Sequence, residues 1–142
     1  MKLKYKLTFF LLFVQLLVAD EFHYYSTVAD EKHFPLLRNL IASIHKVDFD
    51  ILHEIAVFDI GLTSAQRQEL ERMQKVSVHD VEMTHPDLLT YFVTNPWNKQ
   101  VRGWFAWKPV VLKQSLEMFP YLLYLDAGTL LLSSPNELFK HI

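Results

Sequence analysis

Hydrophobic and polar positions after residue 21 follow two alternating patterns. Residues 22–28, 51–59 and 76–81 are rich in aromatic and β-branched side chains, which predicts three short strands. Residues 66–73, with Ser64 as their N-cap, predict a helix between the last two strands. Between the first two strands, hydrophobic residues recur at helical spacing, namely Phe34, Leu37, Leu40, Ile41 and Ile44. Strand and helix therefore alternate through the first half of the chain.

The second half opens with a segment that has no clear period. Residues 82–102 contain prolines and asparagines and predict a long surface excursion with one helical turn. Residues 107–119 predict a third long helix, with Pro109 in its first turn, where proline is tolerated. Residues 121–125 are almost wholly hydrophobic and predict a fourth strand, buried on both faces.

Two further elements complete the pattern. Residues 129–132 predict a last extended piece, and either Ser134 or Asn136 caps a final helical turn. Strands separated by helices are typical of an α/β fold with a parallel sheet and crossover helices. Ligands bind such sheets beyond the carboxyl ends of the strands. Each predicted strand end carries an acidic residue, namely Asp30, Asp59, Asp80 and Asp126.

The first twenty residues predict a secretory leader. Three lysines precede a hydrophobic run at residues 7–19, which is shorter than the roughly 20 residues of a membrane-spanning helix. We therefore expect residues 1–19 to be a signal peptide, with an uncleaved membrane anchor as the alternative. Residues 20–142 would then form one exported domain in the secretory pathway, the periplasm or a lumen.

Composition removes several classes of function. The chain has 142 residues and no cysteine, which excludes disulfide scaffolds, thiolate zinc sites and cysteine nucleophiles. Fourteen Lys and Arg residues against 16 Asp and Glu leave no positive excess for nucleic-acid binding. The seven histidines include no pair at metal-binding spacing, and the glycine-rich phosphate-binding motifs and the nucleophile elbow are missing.

The segment around Asp126 is the most informative. A strand that ends in a carboxylate and turns through Gly128 can hold an anion beside a bound cation; the simpler alternative is that Asp126 caps the turn. The segments WKP at 107–109, LYLDAGTLLL at 123–132 and NELF at 136–139 resemble the centre of GT-A glycosyltransferases, especially the glycogenin-like group. The similarity extends over about residues 22–142, and includes YSTVADEKHF at 25–34 and VFDIGL at 57–62.

This resemblance implies a Rossmann-like, mostly parallel sheet that forms the nucleotide-binding half of a GT-A domain. It implies a nucleotide-diphospho-sugar donor, with Thr27 and Asp30 lining the base. It places Asp126 beside the ribose, the diphosphate and a divalent cation (Mn²⁺ or Mg²⁺), and Lys108 against phosphate or sugar. The residues themselves leave two simpler alternatives open, an N-cap for Asp30 and a solvated helix end for Lys108.

The sequence departs from the family pattern at the metal motif. Asp126-Ala127-Gly128 lacks the second acid of D-x-D, and one aspartate is a poor cage for a cation that prefers several oxygen ligands. Only 16 residues follow Asp126, so we expect the acceptor-binding half to be missing and a partner to complete the domain. Donor binding without sugar transfer is then expected, with an exposed hydrophobic edge at Leu130, Leu131 and Leu132.

Two other functions remain open at this point. The chain can be a non-catalytic remnant that keeps the fold and binds a sugar nucleotide or a protein partner. The run Asp126-Ala-Gly-Thr-Leu is also one residue short of the D-x-D-G-T-L motif of haloacid-dehalogenase-like phosphatases. That motif normally opens its domain on the first strand, whereas here it comes after the fourth predicted strand.

Overall fold

The computed structural model describes residues 22–82, 86–97 and 99–137. The predicted leader, residues 1–19, lies outside the described residues. No helix in the described part of the chain is both long and apolar enough to cross a membrane.

Strands and helices alternate as the sequence pattern predicts. The helices are α1 (Phe34–Asp48), α2 (Ser64–Glu71) and α3 (Trp107–Met118). The strands in the described residues are β1 (Tyr24–Ala29), β2 (Glu54–Asp59), β3 (Val76–Asp80), β4 (Phe92–Thr94), β5 (Gln100–Arg102) and β6 (Leu123–Tyr124).

Four of these strands form one parallel sheet in the order β3-β2-β1-β6. The chain runs outward from β1 through α1, β2, α2 and β3, and then returns through α3 to place β6 on the other side of β1. The order of the strands thus reverses between β1 and β6, which is the point where open α/β sheets bind ligands. The α/β class and the mostly parallel sheet are confirmed.

Helices pack on both faces of the sheet. Tyr25 and Val57 face α1 and α2, whereas Val28 and Phe58 on the same strands face α3. This alternation follows from the two-residue period of a strand. All five residues that predict α1 are buried, and full burial of each such side chain contributes roughly 1.5–3 kcal/mol. They are Phe34, Leu37, Leu40, Ile41 and Ile44.

The N-cap of α2 differs from the prediction. Thr63, not Ser64, is the cap: its Oγ1 accepts a hydrogen bond from the Gln66 amide at 3.2 Å. The Gln66 side chain accepts one from the Thr63 amide at 3.0 Å, which completes a capping box. Ser64 is the first residue of the helix, because only Thr63 has the extended backbone that a cap requires.

The region after β3 also differs from the prediction. The excursion at 82–102 contains a short antiparallel hairpin, β4–β5, in addition to one helical turn at Pro86–Leu89. Strand β6 is only two residues long and partly exposed, because among the described strands it pairs with β1 alone and forms an edge of the sheet. Residues 129–132 form no strand, and in the turn that follows, the Ser134 hydroxyl accepts a hydrogen bond from the Asn136 amide at 3.2 Å.

The expected hydrophobic edge is present only in part. Leu130 and Leu132 are exposed, whereas Leu131 packs against the core under α1. The amide of Leu131 also donates a hydrogen bond to the Ser43 hydroxyl at 3.0 Å, which fastens this segment to α1.

Candidate functional site

Asp126 stands just beyond β6 and is held by two neighbouring side chains. The Lys108 ammonium contacts both carboxylate oxygens, at 2.8 and 3.1 Å. The Tyr124 hydroxyl donates to Oδ1 at 3.1 Å. Burial opposes ionisation of Asp126, but the hydrogen bonds from Lys108 and Tyr124 and the Lys108 charge outweigh it and lower its pKa. The carboxylate is therefore fixed and ionised at neutral pH.

Asp30 occupies the matching position beyond β1. Its Oδ1 accepts hydrogen bonds from the His33 amide at 3.0 Å and the His33 ring at 2.6 Å, so it caps the helical turn that precedes α1. Its Oδ2 faces Arg102 Nη2 at 3.2 Å. Burial opposes ionisation, but the His33 contacts and the Arg102 hydrogen bond outweigh it and lower the pKa of Asp30. The predicted capping role is confirmed.

Arg102 is the functional candidate that the sequence does not reveal. Besides Asp30, its guanidinium contacts the Leu89 carbonyl and lies over the Phe92 ring, with 4.6 Å between the guanidinium carbon and the ring centroid. These contacts attach the β4–β5 hairpin to the end of β1. Arg102 lies in a segment without periodicity, so no pattern in the sequence connects it with Asp30.

Gly61 provides the space that Arg102 needs. The glycine has φ of +133°, and a Cβ there would lie 3.1 Å from the guanidinium. A side chain at this position would be strained and would press on Arg102. The turn after β2 therefore helps to position the cation beside Asp30.

A cleft of about 840 Å³ opens at the carboxyl ends of β1 and β6. Three of the four predicted site residues line it: Asp30, Lys108 and Asp126. Thr27 is the exception. It is 1% exposed and does not line the cleft, so the expectation that all four residues share one crevice is wrong for Thr27. Its hydroxyl makes no hydrogen bond to another described residue.

The lining of this cleft is more positive than the chain as a whole, which has a net charge of −2. Its cations outnumber its acids by four to two, with histidine counted as neutral. The cations are Lys32, Lys99, Arg102 and Lys108, and the acids are Asp30 and Asp126. Helix α3 also begins here without a side-chain cap, so its partial positive charge adds to the field. Such a field favours an anionic ligand.

Aromatic side chains border the positive charges of the cleft. Phe105 is half exposed, and the Lys108 ammonium lies 5.4 Å from its ring centroid. Trp107 is buried behind it. Phe105 has φ of +62°, an uncommon conformation for a bulky residue. The strained backbone and the exposed ring at a cleft wall are typical of a ligand-binding site.

The acids that end the other two strands do not belong to the cleft. Arg67 of α2 binds both of them, with Nη1 at 3.2 Å from Asp59 Oδ2 and 2.6 Å from Asp80 Oδ1. Asp59 Oδ1 also accepts hydrogen bonds from the Gly61 and Leu62 amides, at 2.8 and 2.7 Å. These carboxylates therefore stabilise turns and fix α2 to the sheet.

The residues of the cleft do not fit a divalent cation well. Among the described residues, no group of three or more His, Cys, Asp or Glu side chains is placed to hold a metal ion. Both oxygens of Asp126 are in contact with Lys108, and Asp30 is engaged by His33 and Arg102. A hard cation of this kind prefers about six oxygen ligands, and a neighbouring ammonium repels it.

Comparison with known proteins bears on the fold. No family model and no curated protein matches this sequence. Two solved structures of LgtC are similar, one described as a galactosyltransferase with donor and acceptor sugar analogues and one as an active-site mutant. Each is 17% identical, with a TM-score of 0.52 over 81% of this chain and 41% of that chain.

The chain has a GT-A glycosyltransferase-like fold. At this level of identity the likeness shows the fold alone, and it does not favour the glycogenin-like group in particular. The chain spans 41% of the length of the LgtC structures.

Proposed function

We propose that the cleft binds a nucleotide-diphospho-sugar, as the donor site of a glycosyltransferase-like protein. The observation that carries this proposal is the Lys108–Asp126 pair, at 2.8 Å, at the strand switch point of a cleft with an excess of positive charge. A diphosphate is the anionic part of such a ligand, and ammonium and guanidinium groups are the usual protein partners of phosphate. The GT-A fold, shared with a protein crystallised with donor and acceptor sugar analogues, supports the same assignment.

The geometry gives each side chain a distinct part in donor binding. Lys108 approaches the diphosphate as a positive charge. Asp126 positions the Lys108 ammonium, and the Tyr124 hydroxyl in turn donates a hydrogen bond to Asp126. Phe105 offers an exposed ring against which a base or a sugar can stack. Where transfer follows, the bond between the anomeric carbon and the phosphate oxygen breaks, the acceptor hydroxyl oxygen bonds to that carbon, and the hydroxyl proton passes to water. Lys108 then stabilises the negative charge that develops on the departing diphosphate.

Calorimetric titration of the 142-residue chain with nucleotide-sugars that differ in base and sugar tests the proposal. We expect at least one to bind, and Lys108→Gln to weaken that binding about tenfold or more, because a charge-assisted hydrogen bond is lost. Lys113→Gln is the matched control, since Lys113 is an exposed lysine of the same helix that pairs with Glu117 at 3.4 Å. Absence of binding by every nucleotide-sugar would refute a donor site.

The same titration samples show whether the protein is an enzyme or only binds the donor. Release of nucleoside diphosphate from the bound donor, with or without simple sugar acceptors, indicates transfer or donor hydrolysis. Tight donor binding without release indicates the non-catalytic alternative with the same fold.

A further inference from the structure

We infer that this cleft binds the diphosphate group without a divalent cation, because its own cations, Lys108 together with Lys32 and Lys99, supply the positive charge. The inference rests on the proposed function and specifies how the ligand is recognised. It concerns the place where the family resemblance implies Mn²⁺ or Mg²⁺, and three features of the structure oppose a metal there.

The first feature is that Asp126 is already neutralised. The Lys108 ammonium bridges both of its oxygens at 2.8 and 3.1 Å, and the Tyr124 hydroxyl occupies Oδ1 as well. The ammonium is also held near three aromatic rings, with centroids 5.4 to 6.0 Å away. A metal ion at Asp126 would have to displace this cation or lie within a few ångströms of it, where the two charges repel.

The second feature is the small number of metal-binding side chains around Asp126 in the described part of the chain. Ala127 and Gly128 follow it in the chain, so the turn contributes only one carboxylate. The other acid of the cleft, Asp30, accepts hydrogen bonds from His33 as an N-cap and pairs with Arg102. Among the described residues no cluster offers three metal-binding side chains. One occupied carboxylate is too few for a hard cation that prefers about six oxygen ligands.

The third feature is the number of cations that the cleft itself provides. Lys32 and Lys99 line it without an ion pair to another described residue, in addition to Lys108 and Arg102. Lysine binds phosphate as a point charge, so these side chains can offset a diphosphate as a metal otherwise would. The side chains of the cleft can thus offset the negative charge of the diphosphate themselves.

Two measurements on the full chain test this inference. Nucleoside diphosphates are titrated in EDTA and again in excess Mn²⁺, and Mn²⁺ alone is titrated while the free ion is followed by electron paramagnetic resonance. We expect one affinity in both buffers, within about twofold, and no stoichiometric Mn²⁺ binding. We also expect Lys108→Gln to lower the affinity for the nucleoside diphosphate about tenfold or more in EDTA, and Lys113→Gln to bind it as the natural chain does.

Restoring the second acid provides a matched pair of variants. Gly128→Asp recreates D-x-D, and Gly128→Asn has the same shape without the charge. A Cβ at this position would meet Leu36 Cδ1 at 4.0 Å, an ordinary van der Waals contact, so the backbone here accepts a Cβ in either variant. We expect Mn²⁺ to bind and to strengthen diphosphate binding in Gly128→Asp alone.

The results distinguish the inference from the function on which it rests. Binding in EDTA that depends on Lys108 supports both the metal-free site and the donor site. Binding only with Mn²⁺, or stimulation by Mn²⁺ in the natural chain and Gly128→Asn as large as in Gly128→Asp, overturns the metal-free site and leaves the donor site standing. No diphosphate binding in either buffer overturns both.

Discussion

Asp30 connects three parts of the molecule through one carboxylate. It directly follows β1, caps the turn that leads into α1, and pairs with Arg102 of β5. Its side chain is only 9% exposed and that of Arg102 16%, so water screens the pair weakly. The local sequence accounts for the cap, because aspartate is a preferred N-cap residue. The ion pair joins residues 72 positions apart and depends on the fold.

The charge of Asp30 should make folding stability depend on pH. Its pKa is lower in the folded chain than in the unfolded chain, so its contribution is complete above pH about 4. The contribution is lost as pH falls through the folded-state pKa. Asp30→Asn keeps the cap and removes the charge, and we expect it to cost about 1.5–3 kcal/mol at pH 7 and clearly less at pH 3. Urea denaturation at both pH values measures the two differences.

An exposed carboxylate serves as the control for that experiment. Asp50 follows α1 at the surface, so Asp50→Asn should change the free energy of unfolding by less than about 0.5 kcal/mol at either pH. An Asp30→Asn cost that is equal at pH 7 and pH 3 would show that the charge contributes nothing beyond the cap.

At the scale of single elements, the start of α2 offers a sharp comparison. Thr63 and Ser64 are adjacent and both are good cap residues, but only Thr63 forms the reciprocal bonds with Gln66. Thr63→Ala should therefore lower the free energy of unfolding by about 0.5–2 kcal/mol. Ser64→Ala lies at the first helical position and should change it by less than about 0.5 kcal/mol. Chemical denaturation of the two variants, side by side, measures both; equal losses would contradict the observed cap.

The helices and the central strands were predictable because their signals are local. The α1 residues of the hydrophobic core recur at helical spacing, and β1 and β2 are rich in aromatic and β-branched residues. The β4–β5 hairpin was not predictable. Its strands are three residues long, half of their residues are exposed, and tertiary contacts such as Arg102 with Asp30 hold them. So short a segment carries too few hydrophobic positions to define a period.

For the whole molecule, charge is distributed unevenly. The chain has a net charge of −2, but the cleft lining has four cations and two acids. The affinity for a nucleoside diphosphate should therefore fall severalfold between about 0.05 and 0.5 M salt, because mobile ions screen partly exposed charges. The double variant Lys32→Gln/Lys99→Gln should show a smaller dependence on salt, measured by calorimetric titration.

A lysine outside the cleft controls for the general effect of charge. Lys46 is exposed near the end of α1 and does not line the cleft, so Lys46→Gln should keep the full salt dependence. An affinity that does not change with salt would contradict electrostatic recognition by this cleft.

The amino-acid sequence by itself determined the α/β class, the buried face of α1, and Asp30, Lys108 and Asp126 as candidates. The class, the face of α1 and the two acids depend on side-chain period and on residues near strand ends, which are properties of short segments, whereas Lys108 was implied by the family resemblance. Only the tertiary structure brought those three residues into one cleft, excluded Thr27 from it, and added Arg102. It also paired Lys108 with Asp126 and Arg67 with Asp59 and Asp80. Ion pairs act over a few ångströms, and folding alone decides which distant residues come that close.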